Sequence, residues 1–323
     1  MFVHRISSNK LRRVGLGSSG VFFVGGAKNE KHNEAPPTFV FKPKHLDNSS
    51  SRIGLKQGDG MIREIAAYEI DRQSSPILRA GVPRTVMASC TLQTSNQSIG
   101  SLQQYVSDTI SAEDMGPSKY TVEQVHKIGL FDIRIFNLDR HAGNMLVNSK
   151  TEIVPIDHAL CLPPINCLGE AEFGWSWWPQ AKEPFSLEIS NAILNLSTLN
   201  DLNVLHRLGF DESSILTMML SQLVLKRMVS NGLTLHEISR LFMRTSLDEN
   251  VPSVFEMFVR NAIVYVSLKR RMRTRRRKDG VLTKIRYDFY ISMFARILHA
   301  VKIFPRPTNV YFVGDGIRVA CWM

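Results

Sequence analysis

The chain contains 323 residues, 44% of them hydrophobic and 21% charged, so a sizeable core can be buried and global disorder is excluded. Lysine and arginine total 40 against 29 for aspartate and glutamate, which gives a formal charge of +11, and eight of the positive charges lie in one run, Lys269–Lys278. The composition indicates a nearly neutral protein with one basic strip. The four cysteines are far apart without CxxC spacing, which argues against a disulfide framework or an ordinary zinc site.

The chain has no segment that predicts insertion into a membrane. No run approaches the roughly 18 apolar residues that a membrane-crossing helix needs. The charged start of the chain is not followed by an apolar stretch, so no secretory signal is predicted. We expect a cytoplasmic location, with peripheral membrane contact or nuclear import through Lys269–Lys278 as alternatives.

Up to about residue 106 the sequence is typical of β-strands. The run Val21–Val24 is β-branched and aromatic, and residues 38–44 hold a second such run in which Phe39 and Phe41 share one face. A helix is then predicted with Asp59 as its N-cap, because apolar residues follow at helical spacing: Ile62, Ile65, Ala66 and Ile70.

Beyond residue 120 helices dominate. Three pairs have the spacing of a capping box: Thr121 with Gln124, Thr234 with Glu237, and Ser253 with Glu256. Two apolar stripes have helical spacing: Leu216, Met219, Leu220, Leu223 and Val224, and then Tyr290, Phe294, Ile297, Leu298 and Val301. The sequence thus predicts an α+β fold of two lobes, a β-rich N-terminal lobe over residues 1–106 and a helical C-terminal lobe over residues 107–323.

A glycine-rich motif lies near the start of the first lobe. Gly15, Gly17 and Gly20 have G-x-G-x-x-G spacing, with Ser18 and Ser19 before the last glycine. Dinucleotide-binding folds and the hairpin that covers ATP phosphates in kinases both use this motif, and the strand-like run after Gly20 favours the hairpin. Glycines let backbone N–H groups approach phosphate oxygens. On this motif alone, an ordinary glycine-rich hairpin remains an alternative.

Lys42 lies in the second predicted strand, 22 residues after Gly20. A lysine there either reaches the surface or serves a buried anion. Glu64 on the following helix could pair with it, which is how kinases hold a lysine onto ATP phosphates. A solvated glutamate is the alternative.

Residues 131–164 carry the strongest signal for chemistry. Asp139 and Asn144 have the Asp-x-x-x-x-Asn spacing of a kinase catalytic loop. A short hairpin around Asn148 is then predicted to return Asp157 to the same edge, 13 residues after Asn144. Phosphoryl transfer needs one carboxylate beside the attacking hydroxyl, and an asparagine with a second aspartate on magnesium. Turn-forming residues without chemistry are the alternative.

Several motifs together resemble a known family. Asp-Arg-His-Ala-Gly-Asn at 139–144 and Ile-Asp-His at 156–158 resemble the phosphatidylinositol 3- and 4-kinase superfamily. Four further motifs resemble its type II phosphatidylinositol 4-kinases, closest to the plant gamma subgroup: Phe41-Lys42-Pro43, residues 63–68, residues 101–103 and residues 178–181. The resemblance covers about residues 15–267.

The resemblance implies a two-lobed, protein-kinase-like fold of the lipid-kinase type that binds ATP and Mg²⁺, with Mn²⁺ as an alternative ion. It implies that Lys42 contacts ATP phosphates, that Asp139 is catalytic, and that Asn144 and Asp157 bind the metal. It also implies a hinge that grips adenine, made by Gln103, Gln104, Tyr105 and Val106. The implied activity is phosphorylation of the 4-hydroxyl of phosphatidylinositol in membranes.

Two histidines lie inside the active-site motifs. His141 is a candidate catalytic residue, since histidine titrates near neutrality and could move a proton or orient a phosphate. His158 allows the same interpretation. A structural hydrogen-bonding role is an equal alternative for both, and His126 is interpreted as structural.

Two features suggest contact with membranes. Trp175, Trp177 and Trp178 lie 18 to 21 residues after Asp157, and indole rings favour membrane interfaces, with packing in the helical lobe as the alternative. The strip Lys269–Lys278 could bind anionic lipid, with a solvated loop as the alternative. No aromatic residues are interleaved in the strip, so nucleic-acid binding by stacking is not expected.

Two other functions stay open on the sequence. A Ser/Thr protein kinase on the same scaffold would use the same phosphoryl-transfer residues. A catalytically silent pseudokinase could bind a partner or a membrane, although the presence of Lys42, Asp139, Asn144 and Asp157 argues against it.

Overall fold

The computed structural model describes residues 4–6, 11–13, 20–25, 36–47, 54–91, 97–169, 171–245 and 251–261. The chain divides into two units, residues 1–257 and 258–323, and the contacts described below lie within the first. The predicted apolar stripe over residues 290–301 and the strip Lys269–Lys278 lie outside the described residues.

A six-stranded mixed sheet forms the first part of the chain. Its order is β1-β5-β6-β4-β3-β2, in which β1 is parallel to β5 and all other neighbours are antiparallel. The strands are β1 (His4–Ile6), β2 (Leu11–Arg13), β3 (Phe22–Val24), β4 (Phe39–Pro43), β5 (Thr85–Thr91) and β6 (Gln97–Gln104). β6 ends at Gln104, and a lobe boundary after residue 106 stays a prediction.

The two faces of this sheet have different roles because side chains alternate along each strand. Phe41 is fully buried in an apolar cluster with Ala88 and Leu102, and Phe39 packs on the same cluster, as the sequence predicted. Lys42 points from the opposite face, where a helix covers β5 and β6. The alternation therefore places Lys42 against that helix.

Six helices and a further helical stretch at residues 254–261 form most of the regular secondary structure outside this sheet in the described residues. The helices are α1 (Asp59–Arg72), α2 (Val122–Arg134), α3 (Leu187–Leu194), α4 (Thr198–Leu208), α5 (Glu212–Ser230) and α6 (Leu235–Phe242). No helix in the described part of the chain is both long and apolar enough to span a bilayer.

The start of α1 corrects one prediction. Gly58 is the N-cap, with a φ of 86° that glycine adopts without steric cost, and Asp59 is the first helical residue. The Asp59 carboxylate instead lies 3.6 Å from the guanidinium of Arg63, one turn further along the helix.

All three predicted capping boxes are present. Just before α2, α6 and residues 254–261, the side chain of the N-cap residue accepts from the backbone N–H of the residue three positions later. The side chain of that later residue accepts from the backbone N–H of the N-cap residue in return. These motifs form because their partners are only three residues apart.

The helical part packs around α2, α5 and α6. Leu216, Leu220 and Val224 of the predicted stripe are buried on α5, whereas Met219 and Leu223 are half-buried. α2 and α6 approach so closely at Gly129 that a β-carbon there would lie 2.4 Å from the side chain of Leu235.

A small antiparallel sheet lies beside the helices. Its order is β7-β8-β9, formed by β7 (Thr109–Ser111), β8 (Met145–Asn148) and β9 (Ile153–Pro155). The β8–β9 hairpin is the one predicted around Asn148, and it ends two residues before Asp157. The predicted two-lobed α+β architecture is thus confirmed.

Candidate active site

Lys42 joins two acidic side chains from different elements. Its Nζ lies 2.5 Å from Glu64 Oε1 on α1 and 3.1 Å from Asp157 Oδ1 beyond β9. The predicted Lys42–Glu64 pair is therefore present. The Glu64 side chain is 2% exposed, and the Asp157 side chain is 45% exposed, so the group opens to solvent on the Asp157 side.

Lys42 and each of the two carboxylates stabilise each other's charge, whereas the carboxylates of Glu64 and Asp157 repel one another. Burial alone would lower the pKa of Lys42, but the carboxylates of Asp157 and Glu64 outweigh it and raise that pKa above its ordinary value. The ammonium of Lys42 lowers the pKa of Asp157. Burial raises the pKa of Glu64, and Lys42 acts against that rise. Lys42 is thus a permanent cation beside an ionised Asp157 at neutral pH.

The loop between α2 and β8 brings Asp139 and Asn144 together. The side-chain Nδ2 of Asn144 donates to the backbone carbonyl of Asp139 at 2.8 Å. The backbone N–H of Asp139 donates to the side chain of Asn137 at 3.2 Å. Asp139 is half-buried and Asn144 is buried. The loop therefore fixes the backbone of Asp139 and the side chain of Asn144 relative to each other.

Asn144 and Asp157 are held at the same edge. The backbone N–H of Ile156 donates to the carbonyl of Asn144 at 3.0 Å, which sets Asp157 next to the end of the loop. Because the amide nitrogen of Asn144 is directed to Asp139, its amide oxygen remains as an acceptor. That oxygen and the solvent-exposed carboxylate of Asp157 are hard ligands, so the pair fits a divalent cation such as Mg²⁺.

His141 caps the short 3₁₀ helix Ala142–Asn144. Its Nδ1 accepts from the backbone N–H of Gly143 at 3.1 Å and lies 3.6 Å from Glu113 Oε1. The hydrogen bond to Nδ1 leaves the proton of the neutral ring on Nε2. The side chain of His141 is 46% exposed. A role for His141 in moving a proton stays a prediction.

A buried ion pair that the sequence did not predict lies beneath the loop. Arg140 and Asp132 are both completely buried and lie 3.0 Å apart. Asp132 also accepts from Asn137 and from the indole N–H of Trp175, each at 2.9 Å. The signal available was Asp132 itself, a carboxylate whose sequence neighbours Phe131 and Ile133 are both apolar.

Arg140 extends this network to both Asn144 and the strand end before Asp157. Its guanidinium donates to the carbonyls of Asn144 at 2.6 Å and Ile156 at 2.7 Å, and to Nε2 of His158 at 2.8 Å. His158 is fully buried, and burial followed by the charge of Arg140 keeps its pKa well below the ordinary value. His158 is thus a neutral, hydrogen-bonded residue, which favours its structural interpretation.

The predicted adenine hinge lies at the end of β6. Gln103 is a buried strand residue whose Nε2 donates to Thr85 at 2.9 Å and lies 3.4 Å from Glu64 Oε2, so its side chain faces the lysine pair. The backbone N–H groups of Gln104 and Tyr105 donate to the carbonyls of Arg84 and Thr38. Contact of adenine with residues 103–106, including Val106, stays a prediction.

Only the last residue of the glycine motif is described. Gly20 lies two residues before the start of β3, and a β-carbon there would lie 2.3 Å from Cδ1 of Leu46. Gly15, Gly17, Ser18 and Ser19 lie outside the described residues, so their contact with phosphate stays a prediction.

The three tryptophans occupy different environments. Trp175 is completely buried, stacks on Phe173 with ring centroids 5.0 Å apart and is bonded to Asp132, so the prediction of an interfacial Trp175 is wrong. Its indole N–H finds its partner inside the protein, which makes it a core residue. Trp178 is half-buried against Tyr120, and Trp177 is 66% exposed.

Comparison with known proteins finds one family. A family model described as phosphatidylinositol 3- and 4-kinase matches residues 27–238, which include the site from Lys42 to Asp157. Among similar proteins of Arabidopsis thaliana, phosphatidylinositol 4-kinase gamma 4 is 35% identical over 286 residues, 79% of this chain and 50% of that protein. Gamma 3 is 36% identical, over 76% of this chain and 48% of that protein. Gamma 1 is 37% identical, over 71% and 46%. The chain spans about half the length of these relatives.

Proposed function

The chain belongs to the phosphatidylinositol 3- and 4-kinase family, and we propose that it transfers the γ-phosphoryl group of ATP to the 4-hydroxyl of phosphatidylinositol. The family implies ATP and a divalent metal, and the acceptor follows from the names of the relatives. The observation that carries the proposal is the position of Lys42, whose Nζ contacts both Glu64 and Asp157 at the edge where Asn144 and Asp139 meet.

The residues divide the reaction between them. Lys42 would donate to phosphate oxygens, and Asn144 with Asp157 would hold the divalent ion, for which we propose Mg²⁺. That ion neutralises charge on the phosphates when it is bound. Asp139 would accept the proton of the attacking hydroxyl. The oxygen of that hydroxyl would bond to the γ-phosphorus as the bond between the γ-phosphorus and ADP breaks. Arg140 would orient the loop from below through its bonds to Asn144 and Ile156.

Membrane contact is part of the proposal, because the acceptor hydroxyl is held at a bilayer surface. Trp177 supports it as a large indole that is 66% exposed in the segment after Asp157. The strip Lys269–Lys278 supports it through eight positive charges, which attract anionic lipid. Contact of this kind is peripheral and reversible.

The test offers radiolabelled ATP with Mg²⁺ to two acceptors in parallel, phosphatidylinositol vesicles and a protein mixture. We expect labelled lipid that co-migrates with phosphatidylinositol 4-phosphate and is resolved from the 3- and 5-phosphates, and Asp139→Asn is the control. Label in protein without label in lipid would favour a protein kinase. Absence of ATP turnover with both acceptors would favour a pseudokinase.

A further inference from the structure

Arg63 precedes Glu64 on α1 but reaches another part of the molecule. The residue is 2% exposed, and its Nη1 donates to the carbonyl oxygen of Cys161 at 2.6 Å and to that of Leu162. Hydrogen bonds from a charged donor are shorter and about twice as strong as neutral ones. α1 is therefore bound to the backbone four and five residues beyond Asp157.

The backbone that Arg63 holds is strained. Asp157 and Leu162 have φ angles of 55° and 54°, in the left-handed region that residues other than glycine rarely adopt. Such conformations persist only where surrounding contacts hold them. The Leu162 N–H donates to the carbonyl of Ile135 at 2.8 Å, and Arg63 takes the Leu162 carbonyl from the other side.

The guanidinium of Arg63 is itself held in place. Its Nη2 lies 3.6 Å from Asp59 on the same helix, and its central carbon lies 5.6 Å from the ring centroid of Phe210. The thiol of Cys161 donates back to the Arg63 carbonyl at 3.7 Å. Arg63 thus forms a rigid connection in both directions.

The neighbouring residue binds the start of the same segment. Glu64 Oε2 lies 3.9 Å from Nδ1 of His158, and Glu64 also holds Lys42, which in turn holds Asp157. Two successive residues of α1 therefore fix the segment at residue 158 and again at residues 161–162. A shift of α1 would move both anchors together.

We propose that Arg63 is a positioning residue, which holds residues 158–162 so that Asp157 presents its carboxylate to the divalent ion beside Asn144. The inference rests on the proposed function for the identity of that ion. It adds a second connection between α1 and the metal-binding edge, independent of the Lys42–Glu64 pair. Without Arg63, Asp157 would lose part of its orientation while Lys42 and Glu64 remained intact.

Three variants of the full chain separate positioning from folding. Arg63→Met keeps an apolar stem and removes every donor, Arg63→Lys keeps the charge and one donor group, and Arg72→Met is the matched control on the same helix. Arg72 is 50% exposed and pairs with Glu69, three residues earlier on the same helix.

Two readouts are measured for each variant. Hydrogen exchange of the amides of residues 158–162 needs no acceptor and no turnover. The Mg²⁺ concentration for half-maximal binding of a fluorescent ATP analogue reports on Asp157. In Arg63→Met we expect both to change by about tenfold, the equivalent of one lost charge-assisted hydrogen bond. The affinity for the analogue at saturating Mg²⁺ should change less than about twofold, Arg63→Lys should lie between, and Arg72→Met should match wild type.

The inference fails if Arg63→Met has the wild-type Mg²⁺ requirement and exchange, even with a lower melting temperature, because Arg63 would then be only structural. If Arg63→Met does not fold, Arg63→Lys decides by the same two readouts. Tenfold shifts in a chain that phosphorylates no lipid would sustain the inference and remove the proposed function. If the chain phosphorylates lipid and the Arg63 variants have an unchanged Mg²⁺ requirement, the proposed function stands and the inference about Arg63 fails.

Discussion

Asp139 gives the simplest test of the chemistry at the scale of one side chain. Asp139→Asn keeps the shape of the side chain and removes the carboxylate that would accept the proton. We expect phosphoryl transfer to fall by about 10²–10⁴-fold, the usual contribution of a general base. The midpoint of urea unfolding should not change. Activity within about threefold of wild type, well short of that range, would assign the proton to another group.

We expect Lys42 to contribute both to ATP binding and to stability, and two variants can separate these contributions. Lys42→Met should raise the KM for ATP and also destabilise the fold by up to about 3 kcal/mol, because Glu64 would remain as a buried carboxylate without its partner. Adding Glu64→Gln removes that charge, so the double variant should regain stability but not activity. Stability is measured by urea unfolding and KM by ATP titration. Equal loss of stability in the single and double variants would contradict this account.

The tryptophans differ at the same scale. Trp175→Ala should lower the free energy of unfolding by about 3–5 kcal/mol, because it empties a buried site and removes the hydrogen bond to Asp132. Trp177→Ala should stay within about 0.5 kcal/mol of wild type, as exposed substitutions do, while it weakens binding to phosphatidylinositol vesicles. Chemical unfolding and vesicle co-sedimentation give the two measurements. If Trp175→Ala weakened vesicle binding and left stability unchanged, the interfacial interpretation of Trp175 would be restored.

The sequence predicted those candidate site residues that can be recognised by their spacing along the chain. Lys42, Glu64, Asp139, Asn144 and Asp157 lie together as that spacing suggested. It did not predict the partners of Trp175 or Arg140, because both meet Asp132 through tertiary packing that no local pattern encodes. Aromatic crowding at residues 175–178 suggested one environment, whereas the chain turns between neighbours and exposes only one of them strongly.

At the scale of elements, α2 is joined to the 3₁₀ helix Pro179–Lys182 through a histidine. His126 Nε2 contacts the carbonyl of Gln180 at 3.0 Å, and burial lowers the pKa of His126. The unfolded chain therefore binds a proton more readily, so stability contributed by this site is lost as pH falls below about 6.5. We expect His126→Gln to flatten the decline of unfolding free energy between about pH 7 and 5, near the ordinary histidine pKa.

Urea unfolding at a series of pH values measures this slope. Parallel profiles for wild type and His126→Gln would show that this histidine does not set the pH dependence.

Local elements were predicted better than their arrangement. The partners in the three capping boxes are three residues apart, and those in the β8–β9 hairpin are six to ten apart, so a short stretch of sequence contains them all. The parallel pairing of β1 with β5 joins residues more than 80 positions apart, and nothing in either strand specifies it. The start of α1 was misplaced by one residue because Gly58 can cap with its backbone alone, while Asp59 has the more usual side chain for that position.

At the scale of the whole molecule, charge should govern the approach to membranes. Replacing Arg270, Arg271, Arg273, Arg275, Arg276 and Arg277 with serine removes six of the eleven net charges. We expect weaker co-sedimentation with anionic vesicles at low salt, at about 1 kcal/mol for each residue near the surface. Added salt should erase the difference, because it screens the attraction. Equal sedimentation at low salt would assign the strip to solvent.

The two connections of α1 also bear on which inhibitors the proposed ATP site can accept. A compound that fits only when α1 moves outward must separate Lys42 from Glu64 and Arg63 from two carbonyls, so part of its binding energy is spent before any new contact forms. Compounds that mimic ATP and leave α1 in place avoid that cost. A screen against the wild-type chain should therefore favour the second class, and a screen against Arg63→Met should recover the first.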